Sequence, residues 1–317
     1  MTEQMNENEL TPNPQTEESV AAEKVMQEKD IKSISKKQVA VKVLVQVVLY
    51  AFLTFMALLV LFPFYWMLIS SVKTLTEYNA STPTLWPEHF QWSNYGLAFT
   101  GDLQLGRLFL NTVFVGIVST LLSLVVTVLS AYAFARLEFR GKNALFAALL
   151  ATMMIPGELF TVTNYITVVA WLGWENTFAA LIVPFLVSVF YIYLLRQNFM
   201  QIPNELYLAA KVDGTSDLKY LLRVMIPLSA PTLISITILK MMGAWNSYIW
   251  PKLVTNDIAH TLVTVGIRGG SFIDSSGFVN YPAQMAAVAL VTLPLLLVFI
   301  FFRKYIMRGV SRSGIKG

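Results

Sequence analysis

The chain has 317 residues, of which 56% are hydrophobic and only 13% charged, and its mean hydropathy is +0.59; an ordinary soluble domain carries roughly 25% charged residues. A formal charge of +4 excludes a nucleic-acid surface, and the absence of cysteine excludes disulfides, thiolate metal sites and cysteine nucleophiles. The composition is that of a membrane protein.

The first 30 residues hold Glu3, Glu7, Glu9, Glu17, Glu18, Glu23, Glu28 and Asp30, two prolines and no apolar run. They read as a disordered acidic tail with a basic membrane-proximal end, over 1–42, and carry none of the features of a cleaved secretory signal. Six apolar stretches then follow, near 44–69, 108–135, 144–171, 177–195, 226–249 and 283–302. Each is long enough to cross a hydrocarbon layer of about 30 Å as a helix. The expected fold is all-α and polytopic: a six-span transmembrane domain over 43–303, with a short tail over 304–317.

Lys and Arg concentrate on cytoplasmic flanks of membrane proteins. With both termini inside, all but five of the 23 basic residues face the cytoplasm; Lys73, Arg107, Lys252 and Arg268 fall outside and Lys240 lies within a span. The segment from Glu205 to Pro231, between the fourth and fifth spans, is then cytoplasmic. Asn204 offers a helix N-cap with Glu205 at the positive end of the dipole, and Leu206, Ala209 and Ala210 recur on one face. Gly214 suits a left-handed helix end, and Thr215 or Ser216 can cap a second helix running through Leu218, Leu221 and Leu222 to Pro227. The result is a helical hairpin at the membrane surface: a passive connector, or a docking element. A DNA-reading helix-turn-helix is excluded, because about 30 residues tethered at both ends cannot build the separate core it needs.

Leu208-Ala209-Ala210, Asp213-Gly214 and Val224-Met225-Ile226-Pro227 resemble the EAA loop of permease subunits in binding-protein-dependent ABC importers. The spacing matches throughout, with Leu208 in place of the family's Glu, Val224 in place of Ile and Ile226 in place of Leu. Glu205, one helical turn earlier, offers a carboxylate near the missing one. YAFARLEFRGK (132–142), MIPGE (154–158), LLRQNF (194–199), AWN (244–246) and IMRGVSRSGIKG (306–317) resemble, in order, stretches of the carbohydrate branch of that family.

The resemblance implies a permease subunit, not an enzyme, for sugar or oligosaccharide import at the cytoplasmic membrane of a prokaryote. Implied partners are a second permease subunit, two ATP-binding subunits, an external solute-binding protein, sugar and membrane lipid. The chain lacks the phosphate-cradling G-x-x-x-x-G-K-[ST] loop, so ATP and Mg would be bound by the partner ATPase and no cofactor by this chain. Glu205, Leu208, Ala209, Ala210, Asp213 and Gly214, within a loop over 199–225, would couple to the ATPase; Gly314, Ile315, Lys316 and Gly317 would reach toward it.

The glycine- and serine-rich outer loop from Trp250 to Pro282 reads as flexible, and by resemblance Gly269, Gly270, Ser271 and Asp274 would meet the binding protein. Glu158, just past Pro156, and Lys240 are ionisable groups inside spans; they pair with each other, or they line a path together with Asn164, Tyr165, Trp245, Asn246 and Tyr248. A secondary transporter driven by an ion gradient is the rival class, but it wants ionisable relays in several spans. A membrane-embedded enzyme is the third possibility; the only histidines, His89 and His260, lie in expected outer loops and form no H-E-x-x-H pair, and no metal site is expected.

Overall fold

The computed structural model describes residues 36–100, 104–269, 272 and 279–311. The chain divides into two units, residues 1–65 and 66–317. Helix α1, Lys36–Ser71, supplies all of the first unit that is described and begins several residues before the end of the expected tail. Apart from Lys42, Gln46 and Thr54, its residues from Val39 to Tyr65 are apolar on every side, and all are exposed, the composition of a helix whose solvent is hydrocarbon.

The second unit is organised on helix α4, Leu105–Arg136, after the short helices α2, Leu75–Tyr78, and α3, Ser93–Thr100. The buried face of α4 carries Thr112, Gly116, Ser119, Thr120, Ser123, Thr127 and Ala131. Such a row of small side chains lets neighbouring helices approach closely, which is how membrane helices pack when lipid is as apolar as leucine. A Cβ at Gly116 would stand 3.0 Å from Met241 Sδ. Against this face pack helices α8, Val189–Met200, and α12, Ala230–Trp245, and α12 packs in turn on the last helix, α15, Tyr281–Ser311.

Among the described residues three helices, Val39–Ser71, Leu105–Arg136 and Tyr281–Lys304, are long and apolar enough to cross a membrane unbroken. The other three expected spans are bent pairs, so the count of six holds only if each pair is one span. The stretch expected over 144–171 is helix α5, Lys142–Thr152, followed by a bend of 87° and the segment Gly157–Trp171, which contains helix α6, Thr161–Tyr165. Pro156 explains this break, since it lacks the N–H a helix would need there.

The stretch expected over 177–195 is Phe178–Phe185, which includes α7, Phe178–Ile182; it bends by 45° into α8, which runs on to Met200. The stretch expected over 226–249 starts at Ala230; the preceding arm, Asp217–Leu228, meets it at 81°. Pro227 and Pro231 flank that break at Ser229.

The connector 172–176 turns through two left-handed residues, Gly173 at φ 66° and Asn176 at φ 55°. Asn176 then clasps a distant loop: its Oδ1 accepts from the backbone N–H of Asn256 at 2.7 Å and its own N–H donates to the Val254 carbonyl at 2.9 Å. The outer segment expected to be flexible is therefore partly ordered. It contains α13, Ile249–Val254, and α14, Val263–Gly269. Asn111 of α4 donates to the carbonyls of Ala259 and Thr261 at 2.9 and 3.1 Å, and Thr112 accepts from the Val263 N–H at 2.9 Å. Gly266, read as part of a mobile loop, is buried within α14.

Candidate functional site

The hairpin forms as its sequence suggests, with one change at its start. Helix α9 is Asn204–Val212, Pro203 takes the cap position without a side-chain bond, and Asn204 is the first helical residue. The Asn204 Oδ1 accepts instead from Arg136 Nη1 at 3.2 Å. Gly214 is left-handed at φ 70°, and nothing lies within 4 Å of where its Cβ would be. Ser216 caps α10, Asp217–Tyr220, its Oγ accepting from the Lys219 N–H. This arm continues through a π-helical turn, Leu221–Met225, into α11, Ile226–Leu228.

Two side chains from the end of α4 hold the hairpin. Tyr132 Oη donates to Asp217 Oδ1 at 2.9 Å, and Tyr207 of α9 donates to the same oxygen at 2.9 Å. Lys211 completes the set with an ion pair to Asp217 Oδ2 at 2.9 Å, which raises the Lys211 pKa above its ordinary value. One carboxylate thus ties both arms of the hairpin to the second span.

Arg136 supplies the second tie. Its Nη2 donates to the carbonyls of Phe199 and Ile202 at 3.0 and 2.5 Å, around the C-terminal end of α8, where the helix dipole is negative. Beneath these bonds Tyr132, Leu195, Phe199, Tyr220, Leu221, Met225 and Ile236 form one apolar cluster.

The clasp leaves a distinct outward face. Glu205, Leu208, Ala209, Asp213 and Gly214 are exposed, and so is Val212 at 88%. Ala210, expected beside Ala209 on that face, is half-buried and packs inward next to Tyr207. Between the arms lies a groove of about 370 Å³ with Leu206, Ala209 and Ala210 along α9 and Lys219, Arg223 and Val224 along the opposite arm. Asp213 also lines it, so its wall is mixed apolar and charged.

The intramembrane residues do not form the group expected. Lys240 Nζ donates to the Phe185 carbonyl at 2.6 Å, and among the described residues it makes no ion pair with Glu158. The carbonyl became available because the helix stops at Phe185, a break that a search for charge pairs does not see.

Lys240 lines a cavity of about 230 Å³ with Ser119, Tyr191, Ser247 and Trp250. Lys240, Gly243 and Ala244 line it from one face of α12 and Ser247 from just past the helix end, so Trp245 points elsewhere. Trp245 is buried against Phe109, ring centroids 5.2 Å apart, and Asn246 donates to the Met242 carbonyl of its own helix. Tyr248 lies beneath the guanidinium of Arg268, 4.6 Å from the ring centroid. Tyr165 packs beside the cluster around Trp250, and Asn164 is half-buried.

Gly269 ends α14; Gly270, Ser271, Asp274, Gly314, Ile315, Lys316 and Gly317 lie outside the described residues. Sequence reading missed Tyr132, Arg136, Tyr207 and Asp217. Tyr132 and Arg136 stand four apart at the end of a span, on one helix face, a spacing that could have found them.

Helices apolar enough to span a bilayer, three of them broken, together with an exposed hairpin clasped to a span end, define a multi-pass membrane permease. Residues 123–312 match the family described as binding-protein-dependent transport system inner membrane component, and the chain belongs to that family. That membership lends no support to a gradient-driven transporter.

The chain is 31% identical over 272 residues to the trehalose/maltose transport system permease protein MalG of Thermococcus litoralis, covering 83% of this chain and 94% of that protein. It is 28% identical over 274 residues to the arabinooligosaccharides transport system permease protein AraQ of Bacillus subtilis, covering 86% and 96%. A crystal structure of a bacterial ABC transporter involved in the import of the acidic polysaccharide alginate shares the fold, with a TM-score of 0.75 at 23% identity over 83% of this chain and 96% of that one.

Proposed function

We propose that this chain is one permease subunit of an ATP-driven sugar importer, paired with a second permease subunit, two ATP-binding subunits and an external solute-binding protein. The permease proteins similar to it are named for arabinooligosaccharide, trehalose/maltose and, in Streptomyces coelicolor, diacetylchitobiose transport. The observation that carries the coupling role is the hairpin, which exposes Glu205, Leu208 and Ala209 outward while Asp217 and Arg136 fix it to the spans. Closure of an ATPase pair pushing on that face would be transmitted to α4 and α8. ATP and Mg belong to the partner, and Gly314 to Gly317 approach it from the C-terminal tail. On the outer side Gly269, Gly270, Ser271 and Asp274 meet the binding protein.

The native chain has no cysteine, so a single introduced one is unambiguous. Val212→Cys is expected to cross-link to the ATP-binding subunit in membranes, while a cysteine at Trp86, exposed between α2 and α3, is not. Absence of the Val212 cross-link in an assembled complex would remove the coupling assignment. In whole cells a membrane-impermeant maleimide is expected to label Glu88→Cys and to spare Lys142→Cys and Lys219→Cys, because the basic flanks set the orientation. Labelling of Lys219→Cys from outside would invert the topology.

A further inference from the structure

We infer that the Lys240 cavity is a binding site for the negatively charged group of an anionic saccharide, a uronate carboxylate or a sugar phosphate. This inference rests on the reading of the chain as a saccharide permease and narrows its substrate class.

An ammonium carries three donors, and the contact described for Lys240 is a single bond to the Phe185 carbonyl at 2.6 Å. That carbonyl ends a helix, where the dipole supplies only about half an elementary negative charge. Among the described residues no acidic side chain lines the cavity and no carboxylate forms an ion pair with Lys240. A cation inside a membrane domain without an anion is costly and is normally paired or set beside a water-filled path. Here the space next to it is a cavity, and the missing counter-charge is what an anionic solute brings.

The rest of the wall suits a sugar ring. Trp250 is held by its Nε1–H to the Ala180 carbonyl at 2.9 Å and stands edge-on to Phe185, ring centroids 5.6 Å apart, which makes it a fixed aromatic surface. Tyr191, Ser119 and Ser247, three hydroxyl-bearing residues, line the same cavity. At about 230 Å³ the cavity is smaller than the roughly 300–1,000 Å³ usual for small-molecule sites. It fits one ring of a chain, with the remainder of a longer substrate lying beyond it.

The test is equilibrium binding of galacturonate, galactose 6-phosphate and galactose to the assembled importer in nanodiscs without nucleotide. The three share one ring and differ in the group at C6. At least one of the two anions is expected to bind about tenfold or more tighter than galactose. Which anion shows the preference separates a uronate from a sugar-phosphate substrate. Lys240→Met is expected to abolish the preference and Lys240→Arg to keep most of it. Lys240→Gln replaces the methionine variant if that one does not assemble.

No preference in the parent protein overturns the inference, as does a preference that survives loss of the charge, or an equal loss of all three ligands in Lys240→Met. A complex that hydrolyses ATP in response to loaded binding protein yet shows no anion preference overturns this inference alone. A chain that never assembles with an ATPase overturns the importer reading, and the binding comparison is then made on the purified chain.

Discussion

Ala209→Asp is expected to abolish co-purification of the ATP-binding subunit and solute-stimulated ATP hydrolysis while leaving the amount of membrane-inserted chain near that of the parent. Ala209 is exposed, so the hairpin itself accommodates a carboxylate there at little cost; surface substitutions usually stay within about ±0.5 kcal/mol. Its methyl group borders the groove beside Leu206. Lys219 and Arg223 across the groove would draw the new carboxylate into the space a partner must fill, and a buried charge that the interface pairs badly costs about 2–5 kcal/mol, at least thirtyfold in affinity.

Gly214→Val tests the turn separately. No atom obstructs a side chain, so its penalty is the left-handed backbone at φ 70°, about 1–2 kcal/mol, and a partial loss is expected. Blue-native electrophoresis and ATPase assays on the same preparations decide the matter. If Ala209→Asp assembles and hydrolyses like the parent, the hairpin is a passive connector.

Arg136→Met is expected to give the largest loss of stability, although Arg136 takes no part in the outward docking face. Its guanidinium serves three acceptors, the Phe199 and Ile202 carbonyls and the Asn204 Oδ1. Hydrogen bonds from a charged group contribute about 1.5–3 kcal/mol, so a loss of about 3 kcal/mol or more follows. Arg136→Lys should recover little of it, since a single ammonium cannot reproduce a planar fork over three acceptors. Asp217→Asn should be milder, because an amide oxygen still accepts from Tyr132 and Tyr207 while the Lys211 ion pair is lost. Thermal unfolding of the purified complex in detergent ranks the three variants. An Arg136→Met protein as stable as the parent would show that cluster packing, not the polar clasp, holds the hairpin.

The spans and the hairpin were legible because they are local. Hydropathy over about 20 residues marks a span, and Gly214 and Ser216 declare a turn and a cap by residue type. The bends of 87° and 81° were half legible, since Pro156, Pro227 and Pro231 show where a helix can break but not that the next segment leaves at nearly a right angle. The clasp was not legible. Tyr132 and Asp217 are 85 residues apart, and nothing in either residue names the other. The same gap made Glu158 the apparent partner of Lys240. Charge complementarity is visible in a sequence, but the Phe185 carbonyl becomes an acceptor only once a helix end is placed beside α12.

The continuity of α4 has a mechanical meaning. Between Arg136 at the clasp and Ser119 at the cavity run 17 residues of unbroken helix without proline, about 26 Å at 1.5 Å per residue. The neighbouring α12 and α8 each adjoin a bend that can absorb a displacement. Helix α4 has no such joint, so it behaves as a stiff lever pivoting among softer elements. A tilt of about 10° imposed at the clasp would carry Ser119 some 4–5 Å sideways, about the pitch of one helical turn. Under the coupling proposed above, a push on the hairpin would therefore reach the wall that Ser119 contributes to the space around Lys240.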